Sequence, residues 1–91
     1  MTKAEVVSEI SRQTGLDKAD VLAVVESLME VIKDTLANGE NVYFRGFGSF
    51  IVKTRAEKIG RNITKGTSVV IPEHKIPALR PAPAFTEMLN K

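Results

Sequence analysis

Cysteine and tryptophan are absent from this 91-residue sequence, and histidine occurs only once. Without cysteine the chain can form neither a disulfide nor a thiolate metal site, and a single histidine cannot build a histidine-based zinc site. No apolar run approaches the roughly 18 residues of a membrane span, and the first residues lack the apolar stretch of a signal peptide. These absences favour one small cytoplasmic domain with no metal, no cofactor and no membrane partner.

The charges are distributed unevenly along the chain. Residues 1–44 contain four Lys and Arg and eight Asp and Glu, whereas residues 45–91 contain nine and three. The overall charge of +2 therefore combines an acidic half with a basic half. Scattered lysines usually mean a solvated surface, but a clustered basic segment is typical of a surface that binds a polyanion.

The basic charge is concentrated in residues 46–66, which begin as an apolar strand and continue as a polar ribbon. Glu57 is the one acid on this ribbon, and a turn is expected at residues 62–64. A ribbon with this charge cannot be buried, so it must lie in solvent or on a charged partner, and DNA is the first candidate. Its five cations are Lys53, Arg55, Lys58, Arg61 and Lys65.

The acidic half predicts two helices. Thr2 and Glu5 have the spacing of a capping box at the start of the first helix, and Gly15 is a natural stop. Asp17 is expected to cap the second helix. The Asn-Gly pair at residues 38–39 predicts the end of that helix. This second helix is apolar over more than one stripe, and a small sheet and one short helix could hardly cover it.

The basic half predicts an antiparallel sheet and a terminal helix. A Gly-Phe-Gly turn joins the first two strands, and Pro72 breaks or bulges the returning strand. The predicted strands are residues 41–45, a second strand from Ser49 into the ribbon, residues 67–71 and residues 76–79, with a helix at residues 84–90.

The apolar surface predicts a dimer. With the ribbon projecting, only about 70 residues remain for a core, which is thin without disulfides. A two-fold homodimer is the simplest way to cover the apolar surface, because one self-complementary patch serves both chains. The alternative is a monomer with an ordinary core. The predicted interface consists of Val25, Leu28, Met29, Ile32 and Leu36 of the second helix, with Phe44, Phe47 and Phe50.

The chain resembles the bacterial histone-like family of HU and integration host factor over nearly its whole length. The most specific match is the arm sequence Arg-Ala-Glu-Lys-Ile-Gly-Arg-Asn at residues 55–62, supported by segments 2–5, 14–16 and 46–50. Ile63 stands where the family carries a proline at the arm tip, and Pro83 and Thr86 stand where lysines are common.

The resemblance implies an α+β fold with two N-terminal helices, a three-stranded antiparallel sheet with a long β-ribbon arm, and a short C-terminal helix. Two such chains would form an intertwined homodimer, or one chain would pair with a paralogue. Residues 1–54 and 75–91 would form the dimer body, and residues 55–74 would form the arm that embraces DNA.

The resemblance also implies a nucleoid-associated protein that binds, bends and condenses double-stranded DNA. The two arms would lie in the minor groove, with a wedge residue at each tip, and no small molecule would be bound. The predicted DNA contacts are Lys53, Arg55, Lys58, Arg61, Asn62, Ile63 and Lys65 in the ribbon, with Lys3, Gly46, Gly48, Ser49, Lys75 and Arg80 in the body.

Other functional classes fit the sequence less well. An enzyme is not expected, because the acids of the second helix recur at helical spacing, as on a solvated face. A dimer that mainly binds another protein is the principal alternative. RNA binding is a third possibility, although its stacking sheets need exposed aromatics and Tyr43 is the only one expected. His74 is interpreted as an exposed histidine, with a phosphate contact as the alternative.

Overall fold

The computed structural model describes residues 1–62 and 67–90. By its contacts the chain separates into two compact units, Met1–Thr35 and Leu36–Lys91. No helix in the described ranges is both long and apolar enough to cross a bilayer. In chain order the elements are α1 (Lys3–Thr14), α2 (Lys18–Ala37), β1 (Val42–Phe44), β2 (Gly48–Arg55), β3 (Lys58–Asn62), β4 (Thr67–Ile71), β5 (His74–Pro81) and α3 (Pro83–Leu89).

The ends of α1 confirm the capping signals of the sequence. The Thr2 hydroxyl accepts from the Glu5 amide at 3.3 Å, and the Glu5 carboxylate accepts from the Thr2 amide at 3.4 Å. At the other end Gly15 adopts a left-handed φ of 77°, and its amide donates to the Ser11 carbonyl at 2.8 Å. Two otherwise unpaired amides are satisfied at the start, and glycine relieves the steric cost at the stop.

Helix α2 also begins and ends where the sequence predicts. The Asp17 carbonyl accepts from the Val21 amide at 3.0 Å, and Gly39 follows the last turn with a φ of 83°. Val7 and Val21 are the only apolar side chains that are buried among the described residues. Much of the apolar surface of α2 is therefore exposed in a single chain.

Strands β1, β2 and β5 form an antiparallel sheet in the order β1-β2-β5, here called the body sheet. Strand β1 is shorter than predicted at both ends. On one side the Asn41 side-chain carbonyl accepts from the Val52 amide at 3.1 Å, so a side chain takes the place of backbone pairing. On the other side Arg45 already belongs to the turn, where the Phe47 amide donates to the Phe44 carbonyl at 3.1 Å.

The ribbon is divided into two ladders, which corrects the prediction of one continuous second strand. The body ladder ends where Arg55 pairs with His74, and the arm ladder of β3 and β4 begins where Lys58 pairs with Ile71. Residues 56–57 and residues 72–73 interrupt the two strands at the same level. Pro72 has no amide hydrogen to donate, which explains the break on the returning side.

Four phenylalanine rings connect the body sheet to α3. The Phe47 ring stacks on Phe85 with centroids 5.3 Å apart, and it lies 6.4 Å from both Phe44 and Phe50. The Ala82 amide donates to the Phe47 carbonyl at 2.9 Å, just before the helix. Helix α3 starts at Pro83, one residue earlier than predicted, because proline is well accommodated in the first turn of a helix.

Candidate nucleic-acid interface

The register of the body sheet separates its residues into two faces. Side chains alternate along a strand, and directly opposed residues share a face. Arg55 is opposite His74, Ser49 is opposite Arg80, and Tyr43 is opposite Ser49. These residues and Lys53 therefore lie on one side, here called the polar face, while Phe44, Phe50, Val52 and Leu79 lie on the other.

The polar face carries exposed cations at its arm end. Lys53 and Arg55 are two residues apart on β2, so both project from this face, and both side chains are exposed. Lys75, in contrast, pairs with Thr54 and lies on the phenylalanine side of the sheet. Of the predicted contacts at the base of the arm, Lys53 and Arg55 therefore share the polar face, whereas Lys75 lies on the opposite face.

A second group of polar residues lies at the opposite end of the sheet. Arg45, Ser49 and Arg80 line an open groove beside the Gly46 turn. Ser49 and Arg80 were predicted contacts, but Arg45 was not. Arg45 is the first residue of the turn, and its signal in the sequence was a long cationic side chain beside the Gly-Phe-Gly segment.

The two predicted glycine contacts have structural roles in the turn. Gly46 adopts a left-handed φ of 81°, which favours glycine. Gly48 is buried, and a Cβ placed on it would lie 2.7 Å from the Arg80 carbonyl oxygen and 3.1 Å from the Pro81 Cα. Close packing of β2 against β5 therefore explains glycine at position 48.

The arm ladder carries its cations on the outgoing strand. Lys58 is exposed on β3, whereas the returning residues 67–71 contain no Lys or Arg. Ile59 and Val70 are directly paired, and they are 73% and 57% exposed. The backbones of Arg61 and Asn62 pair with β4. The predicted contacts Ile63 and Lys65 lie outside the described residues.

Lys3 belongs to the other compact unit and already has a partner. Its ammonium lies 2.8 Å from the Glu26 carboxylate, across the groove between α1 and α2 that Lys18 also lines. Both side chains are about half exposed, so this pair contributes little stability and is open to exchange with other ions. A phosphate contact by Lys3 would require that exchange.

Ion pairing distinguishes the helices from the candidate interface. Among the described residues the ion pairs join Lys3 to Glu26, Arg12 to Glu9 and Lys33 to Glu30. Hydrogen bonds from Arg12 and then Gln13 lower the pKa of Glu9, and Glu30 raises the pKa of Lys33. No such pair with a described residue neutralises the cations Lys53, Arg55, Lys58 and Arg80.

The predicted dimer surface is open in one chain. None of its eight residues is buried: Leu28, Met29 and Phe47 are 46%, 40% and 44% exposed, and the others are half-buried. Large exposed apolar patches commonly mark interaction sites, so these residues remain the predicted dimer interface. Half-buried members of the set are Val25, Ile32, Leu36, Phe44 and Phe50.

Comparison with known proteins gives consistent matches over the whole chain. The model of the family described as bacterial DNA-binding protein matches residues 1–90. The DNA-binding protein HU of Thermotoga maritima is 37% identical over 90 residues, covering 99% of this chain and 100% of that protein. Integration host factor subunit beta of a Marinomonas species is 38% identical, covering 99% and 89%. The cocrystal structure of Anabaena HU with DNA matches with a TM-score of 0.92 at 29% identity, covering 98% of this chain and 97% of that one.

Proposed function

Because the chain belongs to the bacterial DNA-binding protein family of HU and integration host factor, we propose that its arm and polar face bind and bend double-stranded DNA. Members of this family are architectural proteins of the nucleoid and not enzymes. The residue-level proposal rests on a set of exposed cations without ion-pair partners among the described residues. Lys53 and Arg55 stand at the base of the arm, and Lys58 continues onto it.

These cations contact the phosphates of the duplex. Each phosphate neutralised by a lysine or arginine releases a condensed counterion, so affinity comes mainly from electrostatics and depends on salt. Such contacts fix the position of the protein on DNA but carry no base information. The outgoing strand supplies most of them, since the returning strand has no cation between Thr67 and Ile71.

The arm lies in the minor groove, where the exposed pair Ile59 and Val70 offers apolar surface to the sugars. Minor-groove edges distinguish little beyond A·T from G·C pairs, so sequence preference is weak even if Asn62 reaches the bases. An apolar residue inserted at the tip unstacks a base step and bends the duplex, at a cost of about a few kcal/mol that wider wrapping offsets. We assign that wedge to Ile63.

The functional unit is a dimer, homodimeric or paired with a paralogue as in this family. In the proposed dimer the eight predicted interface residues are buried, and one arm lies on each side of the duplex. Residues 1–54 and 75–91 then act as the body and residues 55–74 as the arm, with the nucleoid in the cytoplasm as the site of action. A protein-interaction module that contacts DNA only secondarily is less well supported.

A matched pair of charge variants tests the proposal. Arg55→Ala with Lys58→Ala removes one arginine and one lysine from the proposed interface, and Arg12→Ala with Lys33→Ala removes the same two types from the helices. Binding to a short mixed-sequence duplex is measured by fluorescence anisotropy over a range of salt concentrations. With two chains per dimer, the first variant should flatten the log–log salt slope by about 3.6, at about 0.9 for each lost phosphate contact.

The control variant should keep nearly the parent slope, because Arg12 and Lys33 are paired with Glu9 and Glu30 on the helices. Equal effects of the two variants would mean that net charge alone matters and that the arm is not the interface. Binding of the parent that does not respond to salt would contradict DNA binding by phosphate contacts and favour a protein partner.

A further inference from the structure

His74 occupies a special position at the base of the arm. It begins β5 and pairs with Arg55 in the last pair of the body ladder, and its side chain is exposed. It therefore lies on the polar face, opposite Arg55 and diagonal to Lys53. A phosphate held by Arg55 would lie close to this imidazole.

The hydrogen bonding of the ring determines what His74 can offer to a phosphate. Its Nδ1 atom lies 2.9 Å from the Pro72 carbonyl oxygen. A carbonyl only accepts hydrogen bonds, so Nδ1 carries the hydrogen in this contact. In the neutral ring Nε2 is then a bare acceptor, and phosphate oxygens are acceptors as well. Nε2 can donate to phosphate only after the ring takes up a proton.

We propose that His74 is a further DNA-phosphate contact, made in the imidazolium form, so that DNA binding is coupled to the uptake of a proton. The inference rests on the proposed function, because it assumes that a duplex lies on the polar face. It extends that function by adding a contact whose charge depends on pH within the range in which histidines titrate.

A bound phosphate would favour the imidazolium form of His74. Arg55 lies opposite His74 and Lys53 on the diagonal, Glu73 and Lys75 are its neighbours in sequence, and Glu57 follows Arg55 by two residues. When a phosphate binds, its negative charge offsets these cations and attracts the imidazolium directly. An opposite charge within a few Å generally raises the pKa of a histidine by about 1–3 units.

The sign and size of the effect follow from linkage. A group that binds its proton more tightly in the complex strengthens binding at low pH. This gain is lost as the pH rises through the pKa that the group has in the complex. A shift of about one unit gives roughly a tenfold gain in affinity per histidine between about pH 8 and pH 5.5, or roughly a hundredfold for both chains of a dimer. Each imidazolium contact also adds about 0.9 to the salt slope at low pH.

A single histidine per chain makes the titration directly observable. The Cε1 proton resonance of His74 is followed by NMR against pH, first in the full-length protein and then with a short mixed-sequence duplex. Its titration midpoint should rise by about one unit in the complex. In parallel, anisotropy with the same duplex should show that parent affinity rises as pH falls.

Two variants separate a direct contact from a general charge effect. His74→Gln removes the titration and should make affinity nearly independent of pH over this range. Lys75→Gln removes a neighbouring charge from the other face and should retain the parent pH dependence. An unchanged or lowered midpoint with DNA, or a parent-like pH dependence in His74→Gln, would overturn the role of His74. Absence of salt-dependent binding at every pH would instead overturn the proposed function itself.

Discussion

At the scale of single residues, the turn between β1 and β2 depends on how closely two backbones approach. Gly48 packs against β5 so tightly that a Cβ would lie 2.7 Å from the Arg80 carbonyl oxygen. Gly39 at the end of α2 has a left-handed φ of 83° but open space around it. Gly39 therefore shows backbone strain alone, whereas Gly48, whose φ is 158°, combines that strain with steric crowding.

We expect Gly48→Ala to destabilise the protein more than Gly39→Ala. Gly39→Ala should cost about 1–2 kcal/mol, because a side chain is unfavourable in left-handed backbone. Gly48→Ala forces β2 and β5 apart and should cost a further 1–3 kcal/mol, roughly the price of overpacking. Urea unfolding at one fixed protein concentration measures both. An equal or smaller loss for Gly48→Ala would contradict the close-packing explanation.

The wedge assignment also concerns one residue, Ile63. Isoleucine is among the side chains that insert between base steps, and branching at Cβ restricts its first side-chain torsion. Unlike proline, isoleucine fixes neither its own φ nor the backbone of the residue before it, so we expect a greater entropic cost of binding than with proline. We therefore expect this protein to bend DNA although isoleucine stands where the family carries proline.

Energy transfer between dyes at the two ends of a short duplex measures the bend. Ile63→Ala should reduce the bend while largely preserving salt-dependent binding, because no phosphate contact is lost. Ile63→Pro should restore or increase it. If Ile63→Ala bends the duplex as strongly as the parent, the tip is only a turn and another part of the protein bends DNA.

At the scale of elements, the two strands of the arm differ in charge. Strand β3 carries Lys58 and Arg61, whereas β4 is uncharged and exposes Val70. A cation added to β4 tests whether the returning strand also faces DNA.

We expect Val70→Lys to strengthen DNA binding. In each arm the new ammonium would contact one DNA phosphate. With two arms per dimer, the salt slope should steepen by about 1.8. Val70→Gln is the matched control, since it removes the same apolar surface without adding charge. Both are compared by anisotropy on the same duplex. If lysine and glutamine have the same effect, β4 does not lie near the phosphates.

At the scale of the whole molecule, one chain buries few apolar side chains in the part that the structure describes. Val7 and Val21 are its only buried apolar side chains within the described ranges, while α2 leaves Val24 and Val31 67% and 55% exposed. Domains of this size without disulfides or metal commonly gain stability by association. We therefore expect folding and dimerisation to be coupled.

We expect sedimentation at micromolar concentration to give the mass of two 10.0 kDa chains. The melting temperature should rise with protein concentration, since dilution favours dissociation. Leu28→Glu places a charge in the predicted interface and should lower the melting temperature and the dimer fraction. Ile59→Glu on the arm should leave the dimer intact. A folded monomer whose melting temperature ignores concentration would contradict this expectation.

Local features of this protein could be predicted from its sequence. The ends of α1, the end of α2 and the Gly46 turn follow from residues close together in the chain, because caps and tight turns are short-range interactions. The family resemblance supplied the arrangement of helices, sheet and arm. The cations of the outgoing strand were also evident, since clustering of charge is visible without coordinates.

The tertiary structure decided which of those residues lie together. Strand register places His74 opposite Arg55 and Lys75 on the other face, and a shift by one residue would reverse both assignments. The break opposite Pro72 and the pairing of Lys3 with Glu26 likewise depend on residues distant in sequence. Composition and spacing determine the elements because those forces are local, whereas the shared faces arise only when separate strands and helices pack together.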